Sequence, residues 1–135
     1  MSLIRIGIFG PDGRMGKDLI KEIKNFNSLE LTFLCEKKGH KLVGKKISEI
    51  TVEDNVKKLI TNCDVVIDFT APSATLQLLK TMDDLKTETA LVTGTTGYTN
   101  SEEKKFNSLI KGKKVLRSFN MSIGINLLSN LVRLT

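Results

Sequence analysis

Residues 4–16 read Ile4-Arg5-Ile6-Gly7-Ile8-Phe9-Gly10-Pro11-Asp12-Gly13-Arg14-Met15-Gly16, and this stretch decides the fold. Ile4, Ile6 and Ile8 form an alternating apolar run, which predicts a strand that stops at Gly10. The apolar spacing after Gly13 predicts a helix over residues 14–25. A glycine-rich bend followed by a helix N-terminus offers unpaired N–H groups and the positive end of the helix dipole. Both favour an anion, so the stretch predicts a site for a diphosphate.

The glycines of this bend follow the spacing G-x-x-G-x-x-G, not the commoner G-x-G-x-x-G. Gly10 would allow a sharp turn, Gly13 would let a phosphate approach the backbone, and Gly16 would let the helix lie close to the sheet. Pro11 lacks an N–H group. Asp12 brings a carboxylate near the proposed phosphates, and either Arg14 offsets that charge or Asp12 faces solvent. A plain strand-to-helix turn remains an alternative.

Strand and helix patterns alternate along the rest of the chain. We predict strands over 29–35, 64–69, 90–93 and 114–118, helices over 73–82, 101–111 and 123–134, and a short amphipathic helix within 47–62. Helices between consecutive strands imply crossovers and a parallel sheet with helices on both faces. The fold class expected is therefore α/β, a Rossmann-like doubly wound parallel sheet, with residues 1–135 forming one dinucleotide-binding domain.

Composition narrows the class of partner. The 135 residues are 40% hydrophobic, enough for one core, and 21 basic against 15 acidic side chains give a net charge of +6. The lysines are spread in pairs and no basic tract is interleaved with aromatics, so we expect a solvated lysine-rich surface and no nucleic-acid partner. No apolar run reaches membrane-spanning length and no signal peptide is evident, which indicates a soluble, cytoplasmic protein with no membrane partner.

The two cysteines and the single histidine carry no predicted chemistry. Cys35 and Cys63 lack a C-x-x-C partner motif and lie in or beside apolar runs, which indicates buried free thiols in a reducing compartment. His40 lies in the loop after the second strand, and we expect it to be an exposed loop residue away from the chemistry. No metal site is predicted.

Polar residues at other strand ends extend the candidate site, because ligands of such sheets bind beyond the carboxyl ends of the strands. Glu36 follows the second strand, twenty residues after Gly16, a spacing at which an acid reaches the adenosine ribose of NAD. Lys37 and Lys38 follow and could accept a 2′-phosphate. We therefore predict that both NADH and NADPH are bound; a plain polar strand end is the alternative.

A second loop, Gly94-Thr95-Thr96-Gly97, follows the strand over 90–93. Its two hydroxyls and flexible backbone could hold a nicotinamide amide or a substrate carboxylate, although an ordinary loop would look the same. Asn120, after the last predicted strand, carries an amide that could reach the same crevice.

Four motifs together resemble the 4-hydroxy-tetrahydrodipicolinate reductase family, also called dihydrodipicolinate reductase, of the diaminopimelate route to lysine. They are Gly10-Pro11-Asp12-Gly13-Arg14-Met15-Gly16, Val66-Ile67-Asp68-Phe69-Thr70 with Pro72, Gly94-Thr95-Thr96-Gly97-Tyr98, and residues 119–128, Phe-Asn-Met-Ser-Ile-Gly-Ile-Asn-Leu-Leu. The resemblance runs from residue 4 to the end and covers the cofactor-binding half of the family's chain.

The resemblance implies a role for each motif. The bend (Gly10, Pro11, Asp12, Gly13, Arg14, Met15) would cradle the diphosphate, with Arg14 also near a 2′-phosphate. Glu36 would take the adenosine ribose, with Lys37 at a position that is often basic. The loop residues Gly94, Thr95 and Thr96 would lie by the nicotinamide, and the pocket would be completed by Ser118, Phe119, Asn120 and Met121. The Met121 position is often phenylalanine in the family.

The resemblance also implies what this chain lacks. In the family, a substrate-binding, tetramer-forming domain follows, with a histidine pair and a lysine that supply the proton and grip a dicarboxylate. This chain has one histidine, so we expect a fragment without catalytic residues that binds cofactor but does not turn over. The complete enzyme would transfer hydride to 4-hydroxy-tetrahydrodipicolinate, as a homotetramer. A non-enzymatic CoA- or NAD-responsive Rossmann module is the alternative.

Overall fold

A computed structural model describes residues 3–118, so the predicted helix over 123–134 and the site residues Phe119, Asn120 and Met121 lie outside the described residues. The described elements alternate much as the sequence predicts. In chain order they are β1 (Ile4–Phe9), α1 (Arg14–Ile23), β2 (Leu29–Cys35), β3 (Lys46–Ile47), β4 (Ile50–Glu53), α2 (Val56–Thr61), β5 (Val65–Asp68), α3 (Pro72–Leu85), β6 (Ala90–Thr93), α4 (Asn100–Leu109) and β7 (Val115–Arg117).

The strands form one sheet in the order β3-β4-β2-β1-β5-β6-β7. Every neighbouring pair is parallel except β3 with β4. The chain moves outward from β1 to β2 in one direction and from β1 to β5 in the other, so the strand order reverses at β1. This confirms the Rossmann-like α/β fold and fixes the crevice beyond the carboxyl ends of β1, β2 and β5 as the topological switch point.

Two hydrophobic clusters cover the two faces of this sheet. On one face, Leu19, Ile20 and Ile23 of α1 pack with strand residues such as Ile6 and Ile8. On the other face, α2, α3 and α4 pack with the remaining strand residues, and the buried helix side chains there are Leu59, Ile60, Leu78, Leu79, Met82 and Phe106. Helices on both faces are what right-handed crossovers between parallel strands require.

Two glycines of the bend are required by the fold. Gly10 has φ +88°, where a side chain is strained. A Cβ on Gly16 would lie 2.5 Å from the Gly10 carbonyl oxygen and 2.8 Å from Pro11 Cα. Gly16 therefore lets the first turn of α1 lie directly against the bend, whereas the sequence predicted a close approach of the helix to the sheet.

The short helix predicted within residues 47–62 is only partly correct. The segment begins with an antiparallel hairpin, β3 and β4, whose two turn residues Ser48 and Glu49 both have positive φ. Two positive φ values match a hairpin turn that follows the twist of the strands. Ile50 and Val52 are two residues apart on β4, the spacing of one face of a strand, and Val52 is buried. Only Val56–Thr61 is helical, and the Asn55 side chain accepts a hydrogen bond from the Lys58 N–H at its start.

Helix α4 begins one residue earlier than predicted, and its cap is Thr99. The Thr99 hydroxyl accepts from the Glu102 N–H, while the Glu102 side chain accepts from the Thr99 N–H, forming a capping box. Arg117 of β7 donates to the Glu103 carboxylate of this helix from both terminal guanidinium nitrogens, at 2.5 and 2.9 Å. These hydrogen bonds hold the pKa of Glu103 below its ordinary value.

Both cysteines are buried and free. Burial raises the pKa of Cys35 to about 12 and that of Cys63 to about 11, so both thiols are protonated at neutral pH. Within residues 3–118, no helix combines the length and apolar composition needed to cross a bilayer.

Candidate functional site

A cavity of about 580 Å³ lies at the switch point, a volume typical of small-molecule sites. Its walls come from the strand ends of β1, β2 and β5 and from the first turns of α3. The lining residues are Phe9, Gly10, Asp12, Gly13, Glu36, Lys37, His40, Phe69, Thr70, Ala71, Ser73, Ala74 and Gln77. The structure therefore brings together five of the residues predicted from sequence, Gly10, Asp12, Gly13, Glu36 and Lys37.

The backbone donors of the bend are not all available to a ligand. The Gly10 N–H donates to the Cys35 carbonyl at 2.9 Å, and the Gly13 N–H points back to the Gly10 carbonyl at 3.3 Å. Pro11 has no N–H and is buried. Helix α1 has no side-chain cap, so its first-turn N–H groups, from Arg14 onward, are the donors that the fold leaves for an anion.

Among the three glycines of the bend, Gly13 is the one that the fold does not require. Its φ and ψ of −69° and 163° are ordinary extended values. A Cβ there would meet only the Gly10 carbonyl oxygen, at 3.6 Å. Because Gly13 is exposed and lines the cavity, the absence of a side chain leaves space for a ligand next to the first turn of α1.

Glu36 lies at the carboxyl end of β2 with its side chain 10% exposed. Its Oε2 atom accepts the Asp12 N–H at 3.0 Å, which joins the bend to the end of β2. The carboxylate borders the cavity, where it can accept hydrogen bonds from a sugar diol. Lys37 is exposed beside it. This end of the cavity can therefore bind a diol through Glu36 and an anion through Lys37.

His40 is placed differently from our expectation of an exposed loop residue away from the chemistry. Its side chain is 16% exposed, and Nε2 lies 3.3 Å from Asp12 Oδ2 and 3.9 Å from Glu36 Oε2. The loop after β2 folds back over the bend, a path that the spacing of residues does not reveal. The Asp12 carboxylate thus faces His40, with Lys17 Nζ at 3.7 Å, and does not depend on Arg14, which is exposed.

Asp68, at the end of β5, is fully buried. Its carboxylate accepts hydrogen bonds from four threonine hydroxyls: Thr70 and Thr75 at 2.5 Å, Thr93 at 2.8 Å and Thr95 at 3.2 Å. The Thr70 N–H adds a fifth at 3.1 Å. This network fixes the ends of β5 and β6 and the first turn of α3 to one another, and with them one wall of the cavity.

Hydrogen bonds to the buried Asp68 therefore hold the loop after β6 in place. Gly94 donates its N–H to the Asp68 carbonyl at 2.9 Å, and the Thr95 hydroxyl is turned toward the Asp68 carboxylate and buried. Of the two hydroxyls predicted to hold a ligand, only that of Thr96 belongs to an exposed residue. Residues 94–96 are not among those lining the cavity; they lie at the adjacent strand end. Ser118 follows β7, where its N–H donates to the Thr93 carbonyl at 3.0 Å.

Sequence reasoning missed His40, the Asp68 network and the wall contributed by α3 (Ser73, Ala74 and Gln77). One signal was available for Asp68, because an acidic residue closing an apolar strand, followed by nearby threonines, predicts a satisfied buried carboxylate. Among residues 3–118, no group of three or more His, Cys, Asp or Glu side chains is arranged to hold a metal ion.

Comparison with known proteins gives concordant matches. Residues 4–121 match the family model described as dihydrodipicolinate reductase, N-terminus. The chain is 40% identical over 135 residues to the 4-hydroxy-tetrahydrodipicolinate reductase of Pelagibacter ubique, covering 100% of this chain and 50% of that protein. The reductase of the same name from Buchnera aphidicola is 40% identical over 141 residues, covering 97% and 51%. The chain thus spans about half the length of the curated relatives that it matches.

Solved structures agree with the fold. Dipicolinate-bound dihydrodipicolinate reductase from Paenisporosarcina sp. TG-14 superposes with a TM-score of 0.60 at 25% identity, over 79% of this chain and 43% of that one. Pyrroline carboxylate reductase from Plasmodium falciparum, solved with NADP bound, superposes with a TM-score of 0.61 at 19% identity, over 87% and 42%. The second likeness concerns the fold alone.

Proposed function

The chain belongs to the dihydrodipicolinate reductase family, and we propose that it is the NAD(P)H-binding domain of a 4-hydroxy-tetrahydrodipicolinate reductase in lysine biosynthesis. The observation that carries this proposal is the cavity at the switch point, bordered by the bend of residues 10–16 and by Glu36. N–H groups that can bind a diphosphate lie at one side of this cavity, and the Glu36 carboxylate, which can accept from a diol, lies at the other. This arrangement suits a dinucleotide.

The residues present fit this cofactor. Gly13 leaves space beside the first turn of α1, where N–H groups without a side-chain cap can hold a diphosphate. Glu36 can accept the hydroxyls of an adenosine ribose, and Lys37 or Arg14 can pair with a 2′-phosphate. We therefore propose that both NADH and NADPH bind.

The nicotinamide end is proposed to lie over the loop of residues 94–96 and Ser118, with Phe119, Asn120 and Met121 completing it. When bound, the reduced nicotinamide supplies the hydride. The chain's own contribution here is to orient the ring, because the Asp68 network holds this loop in one conformation.

A dicarboxylate substrate, tetramer formation and proton delivery by a histidine pair are proposed for the complete reductase. This chain has a single histidine and is proposed to bind without turnover.

Calorimetric titration of the 135-residue chain with NADH, NADPH and CoA tests the proposal. We expect saturable binding of both reduced dinucleotides and none of CoA, whereas a CoA-responsive module would reverse that pattern. ADP serves as the control that lacks a nicotinamide and should bind more weakly than NADH. With enzymatically generated 4-hydroxy-tetrahydrodipicolinate, oxidation of NADPH should not exceed the uncatalysed rate. Turnover at rates typical of enzymes would contradict the assignment of this chain as a binding unit.

A further inference from the structure

The loop after β6 has a second attachment, at Tyr98, in addition to the Asp68 network. Tyr98 turns inward, so that its hydroxyl oxygen is buried, and its ring packs edge-on against Phe106 of α4 with 5.5 Å between the ring centroids. The Arg117 guanidinium lies over both rings, 4.6 Å from the centroid of Tyr98 and 4.2 Å from that of Phe106. A cation at these distances is attracted to the face of an aromatic ring.

Glu103 of α4 fixes the orientation of this guanidinium. Both terminal nitrogens of Arg117 donate to the Glu103 carboxylate, and the Arg117 side chain is 17% exposed. A shielded bidentate pair has a defined geometry that the point charge of a lysine does not impose. Four side chains therefore form one cluster, which we call the arginine clamp: Tyr98, Glu103, Phe106 and Arg117. It joins the loop after β6 to α4 and to the end of β7.

The arginine clamp and the Asp68 network hold the two ends of a short exposed segment. Thr95 is buried against Asp68, Tyr98 belongs to the clamp, and Thr96 and Gly97 between them are exposed. Gly97 has φ +91°, and a Cβ placed there would meet no atom within 4 Å, so close packing does not hold this segment. The position of Thr96 and Gly97 therefore depends on the attachments at Thr95 and Tyr98.

We propose that Arg117 is a positioning residue, which acts through Tyr98 to fix Thr96 and Gly97 as the surface against which the nicotinamide ring binds. The inference rests on the proposed function, because it concerns the nicotinamide end of the same cofactor. Without the clamp, binding must order this segment, and that entropic cost weakens the affinity for the nicotinamide. The rest of the cofactor binds at the bend and at Glu36, which the clamp does not touch.

The test compares NADH with ADP-ribose, which has the same adenosine diphosphate and ribose but no nicotinamide. Calorimetry gives Kd for both ligands in the unmodified chain, in Arg117→Ala and in Arg117→Lys. In Arg117→Ala we expect Kd for NADH to rise about tenfold, while Kd for ADP-ribose stays within about twofold. A merely structural loss would instead change the two affinities in the same proportion.

Arg117→Lys keeps the test informative if Arg117→Ala fails to fold. Lysine retains a positive charge opposite Glu103, but it cannot stack a planar group on two rings while donating to both carboxylate oxygens. We expect it to change the ratio Kd(ADP-ribose)/Kd(NADH) in the same direction as Arg117→Ala, by a smaller factor.

Lys113→Ala is the matched control, because Lys113 is also a shielded cation that ties α4 to a neighbouring element. Its Nζ donates to Asp83 of α3 at 2.8 Å and to the Leu109 carbonyl at 2.6 Å, with the side chain 10% exposed. It precedes β7, at the opposite end of that strand from Arg117. The variant should unfold at a lower urea concentration than the unmodified chain, yet keep the same ratio of the two Kd values.

A second measurement follows the nicotinamide itself. At saturating NADH every protein molecule is occupied, so the fluorescence of the bound ring reports its surroundings and not the affinity. In Arg117→Lys that emission should lie closer to the emission of free NADH than it does in the unmodified chain.

An unchanged ratio of Kd values in the Arg117 variants would overturn the inference, as would bound-state fluorescence identical to that of the unmodified chain. Equal affinity of the unmodified chain for NADH and ADP-ribose would also overturn it, because the nicotinamide would then contribute nothing that Arg117 could position. Absence of binding of either ligand by the unmodified chain would instead contradict the proposed function, so the two failures are distinguishable.

Discussion

Replacing Gly13 with valine is expected to weaken NADH and NADPH binding by about 100-fold or more, the equivalent of losing one or two hydrogen bonds to a charged group. The backbone at Gly13 has ordinary extended dihedrals, and an added Cβ contacts nothing closer than 3.6 Å. The fold therefore accepts the side chain. The ligand does not, because the valine methyl groups would occupy the space next to the first turn of α1.

The measurement is a calorimetric titration of Gly13→Val beside a urea unfolding curve. The matched control is Asn55→Val, which places valine at the start of α2, outside the residues lining the cavity. That control loses the hydrogen bond from Lys58 and should be destabilised by about 1 kcal/mol, yet should bind both dinucleotides normally. Unchanged affinity in Gly13→Val would contradict the proposal that the diphosphate binds at the bend.

Replacing Asp68 with alanine is expected to lower the free energy of unfolding by about 3–5 kcal/mol, because several buried hydroxyls lose their common acceptor. The carboxylate is fully buried and accepts from four threonine hydroxyls and one N–H. Thr75, Thr93 and Thr95 are themselves buried, so water cannot replace the missing partner. Urea unfolding followed by circular dichroism measures the effect.

Asp64→Ala is the control for this prediction. Asp64 lies just before the same strand and pairs with Arg5 at 3.0 Å, but the two side chains are 45% and 47% exposed. The hydrogen bonds from Arg5 hold the pKa of Asp64 below its ordinary value, yet an exposed pair contributes at most about 1 kcal/mol. Equal losses for the two variants would contradict the view that the Asp68 network holds the strand ends together.

Local patterns predicted most of the fold. The bounds predicted for β2 and β6 match the structure. Apolar side chains alternate with Glu30 and Thr32 along the first part of β2, and β6 is a short apolar run that ends at Thr93. The predicted end of α1 was two residues too late, since the chain turns after Ile23. The hairpin of β3 and β4 was missed, because Ser48 and Glu49 are unusual residues for a turn that needs two positive φ values. Thr99 and Glu102 have the spacing of a capping box, so the start of α4 is encoded locally.

The site residues that directly follow parallel strands could be predicted from the sequence. The contacts between side chains of several elements could not. Gly13 and Glu36 each follow a strand of a parallel sheet, so their approach at one edge follows from topology. The Asp68 network joins threonines from α3, β6 and the loop after β6, at separations of up to 27 residues. His40 reaches the bend through the path of a loop. Such contacts depend on tertiary packing, which no local periodicity encodes.

Amide chemical-shift mapping of the ¹⁵N-labelled chain titrated with NADPH tests most directly whether the cofactor diphosphate binds at the start of α1. The largest changes are expected on residues 10–16, on Glu36 and the loop that follows it, and on residues 94–96. A second cavity, of about 560 Å³, provides an internal comparison. It lies at the amino ends of the strands and is bordered by Arg5, Asp64 and Thr89. Changes concentrated there, with the bend unaffected, would contradict the claim that the cofactor diphosphate lies at the start of α1.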